Sequence, residues 1–88
     1  MKINIQDLKK KIIYRASYRG TKEMDSLLVS FTKKYVDILS DEDLISLSKL
    51  IDIDDENLYN YNQGQKTTVK FNNNKVTKLF RNFVYKKI

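Results

Sequence analysis

The stretch KEMDSLLVSFTKKYVDIL, residues 22–39, decides the fold because its apolar residues recur at intervals of three and four. This spacing places them on one face of an α-helix. The residues on that face are Met24, Leu27, Leu28, Phe31, Tyr35 and Ile38. We therefore expect this helix to form the centre of the hydrophobic core.

The segment before it has the same periodicity. Its apolar positions are Ile5, Leu8, Ile12 and Ala16. They predict a first helix, which Gly20 would end in the left-handed conformation that glycine adopts at little cost.

Two further helices are expected after residue 39. Ser40, with Asp43 three residues later, predicts the N-cap of a third helix, and Asp54 or Asp55 would cap a fourth helix that ends at Gly64. The inward positions would be Leu44, Leu47 and Ile51 in the third helix and Leu58 and Tyr61 in the fourth.

The C-terminal part predicts a short extended segment at TTVKF, residues 67–71, and a terminal helix from about residue 73. The apolar face of that helix would carry Val76, Leu79, Phe80 and Phe83. The chain has no proline and two glycines, which disfavours an all-β fold with many tight turns. We expect an all-α fold, a single compact bundle of about five short helices, in which residues 1–88 form one domain that includes the basic segment 65–88.

Cysteine and histidine are both absent, which excludes disulfides, thiolate metal sites and most catalytic arrangements. We therefore expect a binding protein rather than an enzyme, with no catalytic, metal or cofactor site of its own. The acidic run at residues 52–56 lacks the glycine and the distal glutamate of a calcium loop. Helix capping accounts for it better.

The net charge of +6 is unevenly distributed. Residues 37–56 carry eight acids and one lysine, whereas residues 65–88 carry seven basic residues and no acid. The terminal helix can accordingly be interpreted as a core helix with a solvated basic side, as a nucleic-acid contact, or as a surface for an anionic membrane. A small basic nucleic-acid-binding or toxin–antitoxin module is the alternative function. With no signal-like or membrane-spanning stretch, we expect a cytoplasmic protein.

The motif RGTKE, residues 19–23, stands where the first helix should end. One interpretation is a structural corner with an exposed ion pair between Arg19 and Glu23. The other is a docking point, because Gly20 lets a partner's backbone approach and Arg19 offers a planar fork to a partner's carboxylate. Residue types alone leave both open.

This part of the chain resembles the SdhE-type flavinylation assembly factors of succinate dehydrogenase. Members carry an R-G-x-x-E motif followed closely by an aspartate, here Arg19-Gly20-Thr21-Lys22-Glu23 and Asp25. The following segment, FTKKYVDILSDEDLISLSKLIDIDDENLYNY, is similar to the family's aromatic helix, Leu-Ser-Asp cap, leucine helix and Asp-Asp-x-x-Leu corner. The resemblance covers about residues 10–64. The chain departs from it at Tyr18, where many members have a second arginine, and at Tyr61, where they have tryptophan.

The resemblance implies an all-helical assembly factor that binds the flavoprotein subunit of succinate dehydrogenase, and in some bacteria of fumarate reductase. It would promote covalent attachment of FAD to a histidine of that subunit, so FAD belongs to the partner. The implied partner-binding residues are Arg19, Gly20 and Glu23, with Arg15 and Asp25 on the same surface. We expect a free monomer in the bacterial cytoplasm, with no bound nucleic acid and no stable membrane insertion.

Overall fold

The computed structural model describes residues 4–84, and within them the chain is built from helices with no strand. The helices are α1 (Ile5–Ala16), α2 (Lys22–Tyr35), α3 (Asp41–Leu50), α4 (Asp55–Asn62) and α5 (Lys75–Asn82). Helix α1 packs against α2 and α3, and α5 packs against α3 and α4. The expected all-α fold is confirmed.

Helix α2 supplies the centre of the core, as its periodicity predicts. Leu28 and Phe31 are completely buried, and the Phe31 ring meets the Phe80 ring of α5 with their centroids 5.1 Å apart. The other fully buried large apolar side chains lie on the remaining helices or, for Ile51, directly after α3: Ile12, Leu44, Leu47, Ile51, Leu58 and Val76. Every helix therefore contributes to one apolar cluster.

Side chains cap the N-terminus of each of these five helices, which fixes where each begins. The caps are Asn4, Thr21, Ser40, Asp54 and Asn74. The predicted cap at Ser40 is confirmed, since its hydroxyl accepts the backbone N–H of Asp43 at 3.2 Å. Of the two aspartates considered for α4, Asp54 is the cap.

The end of α1 differs from the prediction. Gly20 does not adopt a left-handed conformation; α1 ends at Ala16 and the positive φ, 60°, falls on Tyr18. The chain can reverse there because the Asp25 carboxylate accepts a 2.8 Å hydrogen bond from the Tyr18 N–H. Gly64, where the fourth helix was predicted to end, has a positive φ of 74° just after α4.

Two further predictions were wrong in detail. Helix α2 ends at Tyr35, so Ile38 is 71% exposed and Val36 and Leu39 are buried instead. The apolar spacing in the sequence extends to Ile38, but the backbone is no longer helical after Tyr35. The segment 67–71 forms no strand; it is a loop, tied to α4 where the Thr68 N–H donates to the Asn57 side chain at 2.7 Å.

The C-terminal helix packs into the core. Helix α5 starts two residues after the predicted position, and Val76 and Phe80 are completely buried. Phe83, just beyond α5, contacts Phe31 with centroids 5.3 Å apart. The apolar face of α5 is thus used inside the bundle, which confirms the core-helix interpretation of that face. None of the helices within residues 4–84 combines the length and the apolar character needed to cross a membrane.

Candidate functional site

The candidate site is the connection between α1 and α2, residues 17–21, which we call the corner. Tyr18 projects from it with 85% exposure, and its ring lies 5.9 Å from that of Tyr14, which is 71% exposed. A left-handed backbone costs an aromatic residue roughly 1–2 kcal/mol. The hydrogen bond from the Tyr18 N–H to Asp25 offsets part of this cost. Asp25, in the first turn of α2, therefore helps to fix the backbone of the corner.

Arg19 points inward, and the expected outward-facing guanidinium is a wrong prediction. The side chain is 15% exposed, and its Nε donates to Asp55 Oδ1 at 2.7 Å. The remaining nitrogens donate to backbone carbonyls of Arg15, Ile51 and Ile53 at 3.0–3.2 Å. The guanidinium of Arg19 is thus hydrogen-bonded to oxygens of the protein itself, because the end of α1 faces the connection between α3 and α4.

Gly20 lies at the surface of the corner and is exposed. Its N–H donates to Asp55 Oδ2 at 2.9 Å, so one carboxylate binds both residues of the Arg-Gly pair. A Cβ at position 20 would lie 3.2 Å from that same oxygen. Any other residue would therefore crowd this carboxylate, which would have to shift by a few tenths of an ångström.

The side chain of Glu23 does not join this network. It is exposed in the first turn of α2, and the ion pair with Arg19 that belonged to one of the two interpretations does not form. Glu23 lines a groove of about 590 Å³ that runs from α2 to α4 and the end of α5. Leu27, Tyr59 and Arg81 also border the groove, which therefore has an apolar floor with charges of both signs.

Arg15 lies one turn before the corner and is joined to α3. It forms an ion pair with Asp52 and donates to the Ser48 hydroxyl at 3.1 Å. Its side chain remains 35% exposed. Of the five predicted partner-binding residues, the structure gathers Arg15, Arg19, Gly20 and Asp25 at the corner, and Glu23 borders it.

The acidic run acts as a helix start. Asp54 accepts the side-chain amide of Asn57 at 2.8 Å and the Asn57 backbone N–H at 3.1 Å. These bonds, the side-chain bond first, lower the pKa of Asp54 below its usual 3.8, because they favour the charged form. Within residues 4–84 no cluster of three or more acidic residues is arranged to hold a metal ion.

Sequence reasoning missed the role of Asp55. It was grouped with the capping acids, whereas its carboxylate reaches back 36 residues along the chain to Arg19. No periodicity or spacing in a single sequence reports such a pairing. One feature of the sequence could have suggested this pairing. The Arg-Gly motif and the Asp-Asp motif both belong to the pattern of the family that the chain resembles.

Comparison with known proteins gives a family match. A family model described as flavinator of succinate dehydrogenase matches residues 10–84. The matched span includes the corner, the Asp-Asp segment and α5. Searches of curated proteins and of solved structures gave no significant match.

Proposed function

Because this chain belongs to the flavinator family of succinate dehydrogenase, we propose that it binds the flavoprotein subunit of that enzyme and promotes covalent attachment of FAD to it. The observation that carries the proposal is the family match, which spans most of the chain and includes the corner. The fumarate reductase flavoprotein is proposed as a second client, where a bacterium makes one.

The contact surface of the proposal is the exposed part of the corner with the adjoining turn of α2. Gly20 and Glu23 are solvent-exposed there, and Tyr18 stands beside them. Arg19 and Asp25 support this surface through internal hydrogen bonds. A surface held in place before binding loses less conformational entropy when a partner docks, which favours affinity.

The proposed mechanism is a shift of population in the client. By binding the state in which the flavin ring lies against its acceptor histidine, this chain raises the fraction of client molecules poised to react. It supplies no catalytic group. The chain contains neither histidine nor cysteine, so the covalent histidyl bond to the flavin is made on the client.

Co-expression tests the proposal. The flavoprotein subunit is produced with or without this chain in a bacterial host that lacks its own flavinator, and covalent flavin is measured by in-gel fluorescence after denaturing electrophoresis. We expect a strong flavin band only with this chain. An equal band in both cultures would contradict the proposal.

A matched pair of variants tests the surface. Glu23→Lys changes an exposed acid in the first turn of α2, and Glu42→Lys makes the same change in the first turn of α3. Both lose the same favourable interaction with a helix N-terminus. We expect Glu23→Lys to weaken the flavin band and Glu42→Lys to leave its intensity unchanged. Equal bands for the two variants would show that Glu23 is not part of the contact surface.

A further inference from the structure

Asp55 lies in the first turn of α4, yet both of its carboxylate oxygens are directed at the corner. Oδ1 accepts Arg19 Nε at 2.7 Å, and Oδ2 accepts the Gly20 N–H at 2.9 Å. Charge-assisted bonds of this length are among the strongest that a carboxylate forms. The side chain is 28% exposed, so water screens the contact only in part.

The helix start does not depend on this carboxylate for its cap. Asp54 accepts the Asn57 N–H and provides that function. Asp55 is therefore free to bind a different part of the chain. The two neighbouring aspartates thus have different roles: Asp54 caps α4, and Asp55 binds the corner.

Arg19 and Gly20 complete the arrangement. The Arg19 guanidinium also donates to the carbonyls of Arg15, Ile51 and Ile53, which joins the end of α1 to the connection between α3 and α4. At Gly20 the missing Cβ leaves room for Asp55 Oδ2, which would otherwise be contacted at 3.2 Å. The backbone N–H at position 20 is thus held by a side chain from α4.

We propose that Asp55 is a positioning residue for client binding: its carboxylate fixes the backbone of Gly20, and with it the surface offered to the flavoprotein. This inference rests on the proposed function. Asp55 acts through Gly20 and Arg19, and its loss leaves the corner's residues in place but free to take other orientations. Affinity then falls because binding must restore the bound orientation.

The test compares Asp55→Asn with Asp54→Ala. The first keeps the shape of the side chain but turns one acceptor into a donor, so Arg19 Nε or the Gly20 N–H loses its partner. The second removes the cap of α4 and leaves the corner intact, so it controls for lost stability. Both are studied at a temperature where circular dichroism shows them folded.

Two quantities are measured on the full chain. One is the Kd for the purified flavoprotein subunit of succinate dehydrogenase. The other is amide hydrogen exchange by NMR at Gly20, with Gly64, whose N–H donates to the Tyr61 carbonyl, as the internal reference. We expect Asp55→Asn to weaken binding by about tenfold and Asp54→Ala by less than about twofold, a difference near 1 kcal/mol. Exchange at Gly20 should accelerate in Asp55→Asn alone.

The possible results separate the two claims. If the unaltered chain does not bind the flavoprotein, the proposed function fails and the positioning role fails with it. If the unaltered chain binds and Asp55→Asn binds equally well, only the positioning role is overturned. Equal losses in Asp55→Asn and Asp54→Ala would likewise overturn it, because stability alone would then explain the effect.

Discussion

The Asp25 carboxylate accepts a 2.8 Å hydrogen bond from the backbone N–H of Tyr18, the residue with φ of 60°. An acid in the first turn of α2 thereby holds a strained residue just after α1. The strain lies beside the exposed part of the family's motif. Strained backbone of this kind often occurs at functional sites, where the surrounding structure must maintain it.

Tyr18→Gly should raise the free energy of unfolding by about 1 kcal/mol, because glycine adopts the left-handed conformation without the steric cost borne by tyrosine. Chemical denaturation measures the change. Tyr14→Gly is the matched control: it removes the same exposed side chain from inside α1 and should lower stability by about 1 kcal/mol. A loss of stability in Tyr18→Gly would show that the tyrosine ring stabilises the corner more than the backbone strain costs.

Arg19→Lys should lower the free energy of unfolding by about 2 kcal/mol, because an ammonium cannot reach the carboxylate and three carbonyls that the guanidinium contacts. Arg15→Lys provides the comparison, since Arg15 is more exposed and its contacts are fewer. The loss for Arg19→Lys should be the larger of the two. Equal losses would mean that the internal network of Arg19 adds little stability.

Thr32 and Thr77 offer a matched test of buried hydroxyls. Both are buried, but Thr32 Oγ1 has no hydrogen-bond partner within residues 4–84, whereas the Thr77 hydroxyl lies within hydrogen-bond distance of the Asn72 and Asn74 carbonyls and accepts the Asn74 N–H. Thr32→Val should therefore raise stability by about 1 kcal/mol, and Thr77→Val should lower it by about 1–3 kcal/mol. Thermal unfolding of both variants checks the signs. A loss in Thr32→Val would contradict this interpretation of its hydroxyl.

The cap at Asp54 predicts a pH dependence. Its pKa is lower in the folded chain than the usual 3.8, so its contribution is complete above that value and is lost as the pH falls through the lowered pKa. Asp54→Ser keeps a neutral cap and should make stability less sensitive to acid below about pH 4. Urea denaturation across that range measures the difference. Parallel curves for the two proteins would show that the Asp54 cap does not couple folding to protonation.

The sequence predicts the fold well because the information is local. Apolar spacing locates α2, and the capping residues Ser40 and Asp54 set the starts of α3 and α4. It fails at the ends of elements, where Tyr18 takes the positive φ expected at Gly20 and Ile38 leaves the apolar face. There the tertiary contacts of a few side chains outweigh intrinsic preference.

The sequence singles out the corner as a candidate site, but it does not reveal the internal geometry there. The Arg-Gly motif marks the corner, and Glu23 is exposed as a contact residue should be. The direction of Arg19 depends on Asp55, a residue brought near by the packing of whole helices. Arg19 and its neighbour Gly20 are thus joined through one carboxylate, and a contact of Arg19 with a partner stays a prediction.

The most direct test of the central claim is the rate of covalent flavin formation in a purified flavoprotein subunit of succinate dehydrogenase that holds FAD non-covalently. The rate is followed as this chain is added at increasing concentration. The account predicts a rate that rises and then saturates, as expected for binding to a reactive state of the client. A rate that does not change at any concentration of this chain would contradict it.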